Sequence, residues 1–215
     1  MKHYIDSQIK MNKLAIDPKM TADELHRFSL SDCRWADGKF THFQTRKVYQ
    51  GDIYQFEFGK NYFPEMSYEH RGLVLRVNKK LLYVVPIYSY DSAKQTDVYH
   101  PVDSPASKSD LYLLKTSEHN FITHDSVVKM NDLRTVSINR ILYQQKNGHI
   151  DIQSQVFTEI QQMVFAKYFP SYWTEYNRRQ EEIDRLNAAI QTLQAELSQK
   201  EQELGLIKQT SDSRM

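Results

Sequence analysis

Cysteine is almost missing from this 215-residue chain: Cys33 stands alone. One thiol closes no intrachain disulfide, and no Cys/His spacing matches a zinc site, so neither a metal nor a cofactor is expected. A dominant charge is missing as well. With 28 Lys and Arg against 27 Asp and Glu, the formal net charge is +1. That balance supplies no global pull toward a polyanion or a membrane surface, although it leaves room for a local basic patch. Long apolar runs are also lacking. The longest, residues 81–88, contains Pro86 and falls far short of the roughly 20 residues of a bilayer span. The first residues, MKHYIDSQIKMNK, have no apolar signal core. These absences leave a soluble protein in a reducing, cytoplasmic setting, without a membrane, as the expectation.

What is present is enough for a packed core. An apolar fraction of 40% with 12% aromatics fits one domain with appendages or two small ones, and 14 tyrosines favour β structure. Residues 1–45 read as an N-terminal extension. A short helix is expected over 4–16, stopped at Asp17-Pro18. A second begins at Thr21, whose spacing to Glu24 is that of a capping box, and runs to Phe28. Asp37-Gly38, between residues 33–36 and 39–43, reads as a hairpin turn.

Residues 46–170 form the main domain. From 46 to about 142 the pattern is mostly strand: VYQGDIYQFEF over 48–58, RGLVLRV over 71–77, LLYVVPIYS over 81–89, a short strand at 111–115, and strand-like runs at 125–130 and 133–136. Residues 91–110 read as polar loop broken by a strand at 98–102. At 150–169 the period changes. Ile152, Val156, Ile160, Met163, Val164 and Tyr168 mark an amphipathic helix covering the sheet, ended or kinked by Pro170. Over 171–208, Ile183, Ile190, Leu197 and Leu204 lie seven apart, with Leu186, Leu193, Lys200 and Ile207 three further on. This heptad seam favours a parallel two-stranded coiled coil; a long helix packing on its own chain is the alternative. Residues 209–215 read as a frayed tail.

Two polar constellations are candidates for chemistry. The first flanks the hairpin of 71–77 and 81–89. Glu65, Glu69, His70 and Arg71 stand at its entrance, with Tyr88 and Ser89 at its exit. Antiparallel pairing brings such ends together. Arg71 can hold a phosphate with its planar fork, Glu65 or Glu69 can orient it or take a proton, and His70 has proton-transfer chemistry. Each also fits an ordinary solvated loop. The second constellation is DSVVKMNDLRTVSINR over 125–140, where Lys129, Asn131, Asp132 and Arg134 line either the second edge of a groove or the exposed face of a strand and turn.

The order of these segments (GDIYQFEF, a glutamate followed by RGLVLRV, YVVPIYS, then DSVVKMNDLRTVSINRI) resembles the PemK/MazF family of toxin ribonucleases over residues 47–168. The resemblance implies an α+β, mainly β fold: an SH3-like, partly open antiparallel barrel with a covering helix, to which this chain adds a C-terminal coiled coil. It implies a homodimer that cuts single-stranded RNA without a metal, through 2′-hydroxyl attack to a 2′,3′-cyclic phosphate, and that an antitoxin restrains. Arg71 falls on the family's catalytic arginine, with Glu65, Ser89 and Tyr88 as its candidate partners. Glu69, His70, Lys129, Asn131, Asp132 and Arg134 then become candidate RNA contacts. Two positions depart from the pattern. Gly72 replaces a proline, and Tyr88 stands where the family has a threonine. They leave open an inactive relative that binds nucleic acid or protein, oligomerised by the coiled coil.

Overall fold

The central strands lack the polar alternation of a half-exposed sheet because both of their faces are covered. The computed structural model describes residues 1–40 and 46–212. Over these residues the architecture is α+β, with an antiparallel seven-stranded sheet that does not close and four α-helices. The strands are β1 (Asp52–Glu57), β2 (Glu69–Asn78), β3 (Leu81–Ser89), β4 (Leu111–Leu114), β5 (Ser126–Lys129), β6 (Arg134–Ser137) and β7 (Ile141–His149). They lie in the order β4-β5-β3-β2-β1-β7, and β6 also pairs with β3. Successive residues then enter different cores. Ile53, Leu73, Leu75, Val85, Ile87 and Val128 belong to one apolar cluster, while Tyr54, Phe56, Val74, Leu82, Val84 and Val136 belong to another. Helix α3 (Gln155–Tyr168) buries Phe157, Ile160 and Val164 against the first cluster.

Two details of the sheet position the polar residues described below. Lys79 adopts φ 57° between β2 and β3, so a two-residue turn sets their register, with Arg71 opposite Ile87 and Gly72 opposite Pro86. The far edge of β3 is shared by β6 against 81–84 and β5 against 87–89. Pro86 falls in the gap between them, where its missing N–H takes no ladder bond from either strand.

Several expectations are corrected. The hairpin about Asp37-Gly38 is not formed, because α2 (Ala22–Gly38) carries residues 33–36 as helix; Thr41–Phe43 of its second arm lie outside the described residues. The Thr21 hydroxyl caps α2 by accepting from the Glu24 amide at 3.2 Å. The helix continues past Phe28 because Ser31 and Arg34 find partners on the sheet. Ser31 donates to Glu57 at 3.0 Å, and Arg34 bridges Glu57 at 3.0 Å and Glu69 at 2.6 Å. The strand expected at 98–102 reduces to isolated bridges at Tyr99 and His100. In contrast, β7 extends to His149 through the polar residues 143–149, which an edge strand can expose.

Residues Met1–Val164, which include α1 (Lys2–Ala15), form one compact unit and Phe165–Met215 a second. The second unit is dominated by α4 (Pro170–Asp212), with Pro170 at its first position, where an amide would be unpaired in any case. The helix reaches Asp212, so the frayed tail expected from 209 is helical over 209–212. Phe165, Phe169, Trp173 and Tyr176 form an aromatic ladder at this unit's start, with ring centroids 5.5–6.1 Å apart.

Candidate active site beside Arg71

Arg71 stands at the end of the face that carries Leu73 and Leu75 on β2. Its side chain reaches past Ile87 and donates from Nη2 to Ser126 Oγ on β5 at 2.9 Å. Ser126 is fully buried and in turn donates to the His124 carbonyl at 3.0 Å. Pairing of β3 with β5 sets Ser89 directly opposite Ser126, so both hydroxyls share the face of Arg71. Ser89 Oγ is hydrogen-bonded to His124 Nε2 at 2.7 Å, and Thr123 Oγ1 lies 3.2 Å from Nδ1 of the same ring. The result is a continuous polar chain: guanidinium, buried hydroxyl, backbone carbonyl, imidazole and exposed hydroxyl.

The loop that presents His124 is held at several points. Asp125 accepts from the Thr116 amide at 2.8 Å and from its hydroxyl at 3.0 Å, and these bonds hold its carboxyl below the usual range. Gln145 of β7 donates to the Phe121 carbonyl at 3.1 Å, while Phe121 and Ile122 are buried in the first core. His124 is thereby placed by packing and hydrogen bonds rather than left on a free tip.

Charge distinguishes Arg71 from the other cations nearby. Burial lowers its pKa, and among the described residues it forms no ion pair with a carboxylate. A guanidinium stays protonated in proteins regardless. It is therefore a partly desolvated positive charge whose hydrogen-bond partner among the described residues is one neutral hydroxyl. Such a charge gains most from an incoming anion.

The remaining candidates divide by face and by partner. Tyr88 pairs with Val127 and points to the opposite side from Ser89 and Arg71; burial raises its phenol pKa. His70 alternates with Arg71 toward the opposite side; burial first, then the charges of Arg27 and Arg71, lower its pKa. Glu69 shares the strand face of Arg71 but is engaged by Arg34 at 2.6 Å and by the Tyr143 hydroxyl at 3.1 Å.

Glu65, Lys129, Asp132 and Arg134 gather in a separate cluster. Arg134 grips Asp132 with two bonds of 2.7 and 3.1 Å, stacks over Phe58 at 5.5 Å, and lies 3.7 Å from Glu65. Asp132 also accepts from the Met66 amide at 2.7 Å and faces Lys129 at 3.7 Å, while Lys129 donates to the Pro64 carbonyl. Arg134 of β6 pairs with Val84 of β3, which belongs to the second core. This cluster pins the loop before β2, and its cations already have anionic partners. Asn131 is tied to Asp110 at 2.8 Å.

The structure thus gathers Arg71 and Ser89 and separates both from Glu65 and Tyr88. It adds Ser126, His124 and Thr123, which sequence reasoning missed. The available signal was a histidine immediately before Asp125-Ser126-Val127, but only the register of β5 on β3 shows that it meets Ser89. No family model matches the chain, and no curated protein matches it.

Proposed function

We propose that the protein is an endoribonuclease that cuts single-stranded RNA by internal transfer, without a metal. In this reading the ribose 2′-oxygen attacks the adjacent phosphorus, the P–O5′ bond breaks, and the products carry a 2′,3′-cyclic phosphate and a 5′-hydroxyl. The carrying observation is the partly desolvated Arg71, without a carboxylate partner among the described residues, beside the Ser89–His124 pair on one face of the sheet. The reaction needs positive charge on the phosphorane oxygens, a base for the 2′-hydroxyl and an acid for the departing oxygen. Arg71 supplies the charge. His124 takes the 2′-proton, Ser89 orients the imidazole and the phosphate, and the protonated imidazole or solvent returns a proton to O5′.

The segment order that resembles the PemK/MazF toxins supports the same reading, and with it an SH3-like barrel description, a homodimer, growth inhibition and a neutralising antitoxin. Glu65, an expected base, has a role in this scheme only as a support of the Arg134 cluster. The site of reaction shifts instead toward His124.

Purified protein incubated with a mixed-sequence RNA pool in EDTA should yield cyclic-phosphate ends. Arg71→Ala should slow cleavage about 10²–10³-fold, and His124→Ala about 10²–10⁴-fold. Glu65→Gln should leave the rate unchanged, and growth arrest should follow the cleavage rates. Full activity of Arg71→Ala, or a strict metal requirement, overturns this mechanism. Binding of the RNA pool without cleavage points to the non-catalytic binding module.

A further inference from the structure

Among the described residues, the apolar seam of α4 lies open to water. Every residue from 181 to 202 is exposed, and Ile183, Leu186, Ile190, Leu193 and Leu197 each leave half or more of their surface in water. The seam also continues backward along the same helix. Tyr176 lies seven residues before Ile183 and is 52% exposed. From Tyr176 to Lys200 the inward positions therefore read Tyr176, Arg179, Ile183, Leu186, Ile190, Leu193, Leu197 and Lys200. Two of the eight are cations, one near each end.

We infer that this seam pairs with the same seam of a second copy in antiparallel orientation, about a two-fold axis beside residue 188. Antiparallel coiled coils set each first heptad position against a fourth position of the partner helix. With the axis at 188, Leu186 meets Ile190 of the other copy, Ile183 meets Leu193, Arg179 meets Leu197, and Tyr176 meets Lys200. All eight positions are matched without a gap. Both cations then lie against apolar or aromatic side chains, along which their methylene stems pack while their charges reach water. Lys200 gains the face of a tyrosine ring.

The parallel alignment loses on charge. It sets Arg179 against Arg179 and Lys200 against Lys200 inside the seam, where Glu175 at 2.6 Å and Glu203 at 2.9 Å offset them in part, and it sets Glu196 beside Glu201 on the flank, neither of which forms an ion pair among the described residues. The antiparallel flank does bring Glu182 toward Glu196 and Glu175 toward Glu203. Three of these four are already neutralised on their own helix: Glu175 by Arg178 and Arg179, Glu182 by Arg185 at 2.7 Å, and Glu203 by Lys200 at 2.9 Å. The flank also lacks the Lys or Arg row at 180, 187, 194 and 201 that would reward a parallel copy. Orientation is thus set by the two inward cations, which the antiparallel alignment keeps apart from their own copies, and by the Glu196–Glu201 contact that it avoids.

Orientation can be read as a distance in the full chain. Cys33 is exposed and is the single thiol, so Cys33→Ser with Ser198→Cys gives one labelled site on the outer face of α4. Spin labels there should lie about 30 Å apart along an antiparallel pair, because Ser198 faces residue 178 of the other copy, twenty residues of helix away. A parallel pair brings them under about 20 Å, the width of two helices. Dipolar modulation at the longer distance, lost when Ile190 and Leu193 are made polar, supports the inference. The shorter distance overturns it, and so does a monomeric mass with no modulation.

Discussion

At Gly72 a hydrogen does what no larger side chain can. A Cβ there would stand 2.4 Å from Val84 Cγ1 and 2.9 Å from Phe56 Cδ2. The glycine lets β1 and β3 close over β2 immediately beside Arg71. Gly72→Ala should lower stability by about 1–3 kcal/mol through overpacking, read as a lower denaturant midpoint with an unchanged slope. An unchanged midpoint would show that Val84 and Phe56 yield freely. The preference for glycine at 72 is thus one of packing, as the sequence alone could not show. Arg71 itself was legible as a candidate from its place before an apolar strand. That the nearby glutamates leave it to a neutral hydroxyl was not, because Glu69 and Glu65 stand near it in sequence and are engaged by Arg34 and Arg134 in space.

Among the elements, α2 shows how tertiary contacts extend what local signals begin. Thr21 and Glu24 marked its start, whereas Asp37-Gly38 suggested a turn. Its docking is polar: Ser31 is its one buried residue, and Arg34 joins two carboxylates, of which Glu57 is 9% exposed at its side chain. Arg34→Met should cost about 2–3 kcal/mol, less than breaking a fully buried pair, since it strands the Glu57 charge without its cation. Thermal unfolding measures the loss, and Glu57→Gln added to Arg34→Met should recover part of it. No recovery would mean that Arg34 acts through packing alone. Strand β7 was hidden for the opposite reason. As an edge it exposes Gln144, Lys146 and Asn147, and so carries little apolar signal.

For the whole molecule, acid should be the destabilising direction well before carboxylates titrate. Burial lowers the pKa of both His70 and His119, and the buried Nε2 of His119 has no hydrogen-bond partner among the described residues. The unfolded chain, with histidines near about 6.5, binds more protons than the folded chain just below that pH. Stability is therefore complete above about pH 6.5 and falls as pH drops from there toward the lowered folded-state values. A double His70→Gln, His119→Gln variant should show a flatter melting temperature between about pH 6.5 and 5 than the parent does. Parallel profiles would place the acid response in other groups.

The residue pattern by itself determined the kinds of element and their rough order, since periods of two and 3.6 follow from backbone geometry alone. Apolar runs at 71–77 and 81–89, the amphipathic pattern near 160 and the heptads after 180 are visible without any neighbour. The α+β class with an antiparallel sheet follows from them. Tertiary structure decided which polar residues meet. Side chains alternate along a strand, so one step of register exchanges faces. The pairing of Ser89 with Ser126 put Ser89 and His124 beside Arg71, and the same step turned Tyr88 away.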